Sequence, residues 1–405
     1  MTGLQPHLPA AASRDSAVNA CFFRAARLPD ALVPVADPAL DAAILVTGGT
    51  GFLGGHLLNA LLRRTSVPVI CLVRGDAAAE RSRLLTRLAA LGTVVPEPRI
   101  QVISGDVMQP RLGLSAADFA RLAASVGIVF HLAARLDFRG SFDSLRAANV
   151  DPLQQVLSLA STGLGKRIVY LSSLSVLDVP VRYGEAVTEA TPLVDPEWLP
   201  LGYAQTKWVA EVLLAAAAER GFDVMRLRPS WIVGEARPAL ATDFIATVLR
   251  VFAATRATPA SAGALNLVPV AFVAEASALL GTRLAGTLPA GRRVFHLGSP
   301  QAVTSAAFAA AIASTGLPIE RVPVADFMSR VSLLVQQGRS LELMMFRHIF
   351  LGSRSRPAIG LPYLDGRAPI FDATDSLRIL RAVDLPPPEL DLPALVRICL
   401  GESGI

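Results

Sequence analysis

Short, almost wholly apolar runs alternate with helix-patterned stretches through the first half of this chain. Ile44-Leu-Val-Thr47, Val67-Pro-Val-Ile-Cys-Leu-Val73, Val129-Phe-His131 and Arg167-Ile-Val-Tyr-Leu171 read as strands buried on both faces. His56-Leu-Leu-Asn-Ala-Leu-Leu62 and Trp208-Val-Ala-Glu-Val-Leu-Leu214 read as helices. Strand–helix alternation from 42 to about 235 predicts right-handed β-α-β units and an α/β, doubly wound parallel sheet. Beyond Gly234 the period turns helical, as in Asp243–Arg250, Ser305–Ile312 and a short apolar helix at 392–400. The expected organisation is a leader or linker over 1–41, disordered over 1–27, then an α/β domain over 42–235. A smaller, mostly helical substrate-binding subdomain follows over 236–405. The Pro- and acid-rich loop Leu177–Leu201 is expected to leave the sheet and help line the substrate mouth. The amphipathic stretch 324–352 suits an acyl tunnel, a docking face or a membrane contact, but an ordinary core-facing helix explains it more simply.

The first strand runs straight into Gly48, Gly51 and Gly54, and a helix follows at once. Glycine at that spacing permits a sharp turn, close approach to a pyrophosphate and close helix–sheet packing. The N–H groups of the loop, with Thr50, Phe52 and Leu53, then face the phosphates at the positive end of the helix. The flanking strand and helix are the context that turns a glycine pattern into a Rossmann-like dinucleotide site. At the end of the second strand stands Arg74, where an NAD site usually has an acid, and Arg83 follows about two helical turns on. Arginines there suit a 2′-phosphate, so NADPH is the expected cofactor.

Tyr203-Ala-Gln-Thr-Lys207 opens a helix, which puts phenol and ammonium on one face. An ammonium so placed is expected to lower the phenol's pKa and make it a general acid. With the Gly-x-x-Gly-x-x-Gly loop, this motif resembles the extended short-chain dehydrogenase/reductase superfamily. Ser172-Ser173-Leu174-Ser175 follows the Arg167–Leu171 strand. Register with the superfamily pattern puts the catalytic hydroxyl at Ser173, with Ser172 and Ser175 as the alternatives and turn-forming hydrogen bonds expected for two of the three.

Gly105-Asp106-Val107, Leu112-Gly-Leu-Ser-Ala-Ala-Asp-Phe119 and Val129-Phe-His-Leu-Ala-Ala134 are similar to the thioester reductase family, which includes terminal reductase domains of peptide and polyketide synthetases, aminoadipate reductases and carboxylic acid reductases. Arg228-Pro-Ser-Trp-Ile-Val-Gly234, Leu267-Val-Pro-Val-Ala-Phe-Val273 and Phe295-His-Leu-Gly-Ser-Pro300 extend the resemblance toward the C-terminus. It implies NADPH-dependent reductive release of an acyl thioester, carried by an acyl or peptidyl carrier protein or by coenzyme A, to an aldehyde or on to a primary alcohol. It also implies catalysis by Ser173, Tyr203 and Lys207, with Asp106, Val107, Ala133 and Ala134 joining the loop residues, Arg74, Arg83, Tyr203 and Lys207 around the cofactor. Three positions depart from the family: Ser173 stands for a usual threonine, Ala271 for an aspartate and Leu132 for an asparagine. Leu28-Pro-Asp-Ala-Leu-Val-Pro34 resembles the linker that follows a carrier domain, and a stand-alone reductase is expected. The competing readings are an extended reductase or epimerase acting on a ketone, hydroxyl or nucleotide-sugar, and a non-catalytic NADP sensor. A sensor has no need of all three catalytic side chains.

The chain has 405 residues, of which 52% are hydrophobic, ample for a large core. A net charge of +5 without basic runs gives no sign of nucleic-acid binding, though an acidic carrier would suit it. Three scattered cysteines and five scattered histidines imply neither disulfides nor a metal site. A cytoplasmic monomer or homodimer is expected, with peripheral membrane contact left open. Residues 42–62 would score as a membrane span, but their clustered glycines favour strand–turn–helix.

Overall fold

The computed structural model describes residues 17–95, 98–234, 244–282, 293–337 and 361–401. Strands β1 (Ala43–Thr47), β2 (Val69–Val73), β3 (Ile100–Ser104), β4 (Val126–His131) and β5 (Arg167–Leu171) are joined by Asp223–Pro229 and Val294–Leu297. Together they form a seven-stranded sheet in the order Val294–Leu297, Asp223–Pro229, β5, β4, β1, β2, β3. β1 pairs in parallel with both β2 and β4, β2 with β3, β4 with β5, and β5 with Asp223–Pro229. Every residue of β1, β2 and β4 is buried, as expected for strands covered on both faces. The strand order reverses between β1 and β4, so the loops leaving their carboxyl ends open onto one crevice.

The helices are α1 (Ala17–Ala25), α2 (Phe52–Arg64), α3 (Ala77–Ala90), α4 (Ala116–Ser125), α5 (Phe142–Asn149), α6 (Pro152–Ala160), α7 (Gly202–Glu219), α8 (Phe244–Thr255), α9 (Val270–Thr282), α10 (Ser305–Ala313) and α11 (Val324–Gln336), followed by shorter ones. Leu213 and Leu214 of α7 and Leu153, Val156 and Leu157 of α6 pack with Leu45, Val129 and Ile168 of the sheet in one apolar cluster. Gly281 of α9 lets that helix lie on the sheet, because a Cβ there would come within 2.4 Å of Phe130.

The chain forms two compact units and crosses between them several times, in place of the single boundary expected at 235. The first, Met1–Val176, Ala190–Pro229 and Ala271–Phe295, holds the sheet up to Phe295. The second is Leu177–Glu189, Ser230–Val270 and His296–Ile405. It is built on helices, with short paired strands such as Trp231–Val233 with Leu267–Pro269. Its core includes Phe252 of α8, edge-on to Phe308 and Phe327 at 6.0 and 5.6 Å. Phe327 and Val331, one turn apart, are both fully buried, so α11 is a core-facing helix. The remainder of the amphipathic stretch, including 341–350, lies outside the described residues. Within this unit Tyr363 donates its hydroxyl to Asp178 at 2.8 Å and so ties the 177–189 segment to the C-terminal part.

The expectation of disorder through residue 27 fails for 17–27, while 1–16 lie outside the described residues. Ala17–Ala25 is helical, and its two phenylalanines find aromatic partners. Phe22 sits edge-on to Phe142 with ring centroids 4.6 Å apart, and Phe23 meets Trp208 at 5.5 Å. A nine-residue helix is marginal alone in water, so these tertiary contacts hold what local pattern does not. Phe22 is 5% exposed, so Phe22→Ala is expected to cost about 3 kcal/mol of unfolding free energy, read by denaturant melts. A loss under about 0.5 kcal/mol would show that α1 is not packed.

Candidate active site

The loop after β1 is shaped by backbone crowding. Gly48 has φ +75°, and a Cβ there would stand 2.7 Å from the Ala133 nitrogen just past β4. Gly51 N–H donates to the Gly48 carbonyl at 3.0 Å, and a Cβ on Gly54 would fall 2.2 Å from that same oxygen. Gly51 caps α2 with no side-chain bond, so the cap residue itself leaves the helix start clear. Thr50 and Gly51 are exposed and Leu53 is buried. A dinucleotide's pyrophosphate fits this cradle, since the glycines keep it open and the helix start offers backbone N–H donors.

Arg74 stands exposed one residue past β2, beside β1 in the sheet. Arg83 turns instead to Glu80 at 2.7 Å and is largely solvated. One turn beyond it lies Arg87, which sequence reasoning missed. Its guanidinium donates to the carbonyls of Thr50 (3.2 Å), Gly51 (2.7 Å) and Phe52 (2.6 Å), clamping the glycine loop to α3. Helical spacing from Arg83 was the available signal, but only the packing of α3 against α2 distinguishes the two arginines.

Asp106 and Val107 follow β3, where Asp106 N–H donates to the Leu112 carbonyl at 2.8 Å and its carboxylate accepts from Met108 N–H at 2.9 Å. The Leu112-Gly-Leu-Ser segment thus shapes this turn, with Arg111 and Leu112 at positive φ (53° and 59°) and Leu112 fully buried. Ser115 then caps α4. Ala133 and Ala134 follow β4, and Leu132 donates its N–H to the Thr47 carbonyl at 3.2 Å.

Tyr203 and Lys207 lie in the first two turns of α7. The Lys207 ammonium is buried and donates to the Leu171 carbonyl, the last of β5, at 2.6 Å. It lies 4.6 Å from the Tyr170 ring centre and 5.7 Å from that of Tyr203, close enough for cation–π attraction. Burial pulls Lys207 down to about 7, and Glu211 opposes that shift. The phenol of Tyr203 departs from expectation. Burial raises its pKa rather than the ammonium lowering it, so it remains a protonated donor. His131 bonds Thr47 through Nδ1 at 2.8 Å, and burial with the nearby Lys207 drives it to about 3, leaving it neutral.

The three serines past β5 have separate surroundings. Ser172 donates its hydroxyl to the buried Glu211 at 2.5 Å. The Ser175 hydroxyl is buried with no partner among the described residues. Ser173 is half-buried, and its oxygen accepts from Ser175 N–H at 3.1 Å, which leaves its own proton available to donate. The structure therefore brings Lys207 to the strand end two residues before Ser173, with Tyr203 one turn back along the same helix.

Among the described residues no group of His, Cys, Asp and Glu could hold a metal ion, and no helix is long and apolar enough to cross a membrane.

The family model described as "Male sterility protein" matches residues 46–277, more than half of the chain. A linear gramicidin synthase of Brevibacillus parabrevis is 29% identical over 89% of this chain and 7% of its own length. Glycine betaine reductase ATRR of Emericella nidulans is 31% identical over 71% of this chain and 23% of its own. The chain thus spans less than a quarter of these curated relatives. The crystal structure of the terminal R domain from the myxalamid PKS-NRPS biosynthetic pathway is 29% identical, with a TM-score of 0.79 over 95% of this chain and 96% of that one. With its parallel sheet, glycine cradle and Tyr203–Lys207 helix, the chain belongs to the NAD-binding family described as male sterility proteins, as a nicotinamide-dependent oxidoreductase of the thioester reductase type within the extended short-chain dehydrogenase/reductase superfamily.

Proposed function

We propose that this chain uses NADPH to reduce an acyl thioester, delivered on a carrier protein or as acyl-CoA, and releases an aldehyde and a free thiol. The observation that carries this reading is the Lys207 ammonium seated on the last carbonyl of β5, with Tyr203 one turn back and Ser173 two residues on. Bound in the glycine cradle, the nicotinamide cofactor supplies a hydride.

This chain's residues do the rest. Gly48, Thr50, Gly51, Phe52, Leu53 and Gly54 would hold the pyrophosphate and Arg74 the 2′-phosphate, which Arg83 would join on leaving Glu80. Asp106, Val107, Ala133 and Ala134 complete the cofactor's surroundings from the ends of β3 and β4. Lys207 would hold the ribose hydroxyls. As the carbonyl carbon takes the hydride, negative charge grows on its oxygen, and the O–H groups of Ser173 and Tyr203 donate to it there, where preorganised donors count most. Burial supports this role for Tyr203, because a phenol kept protonated has a proton to give. The tetrahedral adduct then re-forms its carbonyl by expelling the thiolate, which takes up a proton. A second reduction at the same site would yield a primary alcohol. Serine in place of threonine at 173 preserves the required hydroxyl.

Incubation with NADPH and a panel of acyl-CoA and carrier thioesters should release one thiol per NADPH consumed in forming aldehyde. Turnover of a ketone or nucleotide-sugar, with no thiol from any thioester, would contradict the proposal. Tyr203→Phe should lower kcat at least about 100-fold while NADPH affinity holds within about twofold. Retained turnover would remove Tyr203 from the mechanism. Arg74→Ala should weaken NADPH roughly tenfold and leave NADH unchanged; equal losses for both would show that Arg74 does not read the 2′-phosphate.

A further inference from the structure

Glu211 lies one turn beyond Lys207 on α7 and is completely buried. Its Oε1 accepts from the Ser172 hydroxyl at 2.5 Å and from Arg228 Nε at 2.8 Å, and its Oε2 from Arg228 Nη2 at 2.6 Å. Arg226 Nη1 stands 3.7 Å from Oε2. Desolvating a carboxylate is costly unless it is paired, and the two arginines meet that need. The serine bond is an addition to it. Through Lys207 and Glu211, four residues apart, α7 grips Leu171 and Ser172, consecutive residues of the strand end, and Ser173 is the next residue.

We propose that Glu211 is a positioning residue of the reduction site: its carboxylate locks the strand end bearing Ser173 onto the helix bearing Tyr203 and Lys207, and sets a buried negative charge one helical turn from the Lys207 ammonium. The proposal rests on the roles given above to Tyr203 and Lys207. The geometric part follows from the contacts. A hydroxyl fixed one residue upstream limits where Ser173 can swing, and displacement of about 1 Å at a reacting group costs on the order of a hundredfold in rate. The electrostatic part follows from the neighbours of Lys207. Tyr203 and Glu211 face it from α7, Tyr170 from β5 and His131 from β4. Burial holds Tyr203 and Tyr170 protonated and His131 neutral, so Glu211 is the anion in this group. Arg226 and Arg228, from the neighbouring strand, face Glu211 and offset part of its field.

The test compares Glu211→Gln, Ser172→Ala and Lys207→Ala with the unaltered chain. NADPH affinity is read by nicotinamide fluorescence over roughly pH 5–9, which brackets the Lys207 titration near 7 and a downward shift from it. The unaltered chain should bind NADPH more weakly as pH rises through the Lys207 titration. Glu211→Gln should move that midpoint down by about one pH unit, since a lost anion no longer favours the ammonium. Ser172→Ala should leave the midpoint in place and lower kcat about tenfold on the best thioester of the panel, with KM within about twofold. An unmoved midpoint in Glu211→Gln, or full kcat in Ser172→Ala, overturns the proposal. Should Glu211→Gln not fold, Ser172→Ala decides alone, because it removes one hydroxyl and leaves the arginine pairing intact. Lys207→Ala isolates the underlying assignment. If it keeps both affinity and pH dependence, the role given to Lys207 fails, whatever the other two variants do.

Discussion

A buried ammonium must find acceptors or give up its proton, and the position of Lys207 follows from that constraint. Its partner is the final carbonyl of β5, 2.6 Å away, so the start of α7 and the end of β5 are held in one fixed register. The rest of the site depends on that register. Tyr203 stands one turn back, Ser172 is drawn to Glu211 one turn on, and the Tyr170 ring lies against the ammonium. The alanine- and leucine-rich body of α7 lets the helix lie deep enough against the sheet for a lysine to reach a strand carbonyl.

The cofactor half of the site obeys a different constraint. Because the strand order reverses between β1 and β4, the loops leaving both strands compete for one space. Gly48 resolves the competition: it adopts positive φ and brings its backbone against Ala133 at a distance no side chain would allow. Arg87 then holds the loop from outside by three carbonyls, which adds positive charge at the start of α2 where phosphates would lie. Geometry and field at the phosphate cradle thus come from residues on three separate segments.

Sequence legibility followed how local each signal was. The glycine loop, the Tyr203–Lys207 pair and the strand–helix alternation are written within single elements, and the parallel sheet and α7 lie where those patterns put them. Features that depend on distant partners were not legible. α1 is held by Phe142 and Trp208, far along the chain. Arg87 and Arg83 share a helix and a charge, and only the packing of α3 on α2 sets them apart. Glu211 stood at helical spacing from Lys207, but its partners Ser172 and Arg228 are brought to it by the sheet. The rise in the Tyr203 pKa comes from burial, which an adjacent-charge argument from spacing alone leaves out. Leu112-Gly-Leu-Ser marked the family branch correctly, yet its physical task is to shape the turn after β3. The second unit escaped a simple boundary because its segments are interleaved along the chain.

Hydride transfer to a thioester carbonyl at the end of β5 is the central claim. Its most direct test is a single turnover with NADPH deuterated at the transferable nicotinamide C4 position and an acyl thioester, with mass analysis of the products. One deuterium on the aldehyde carbon, matched by one free thiol, is the predicted result. Thiol release without deuterium in the aldehyde, or deuterium transfer only to substrates that are not thioesters, would contradict it.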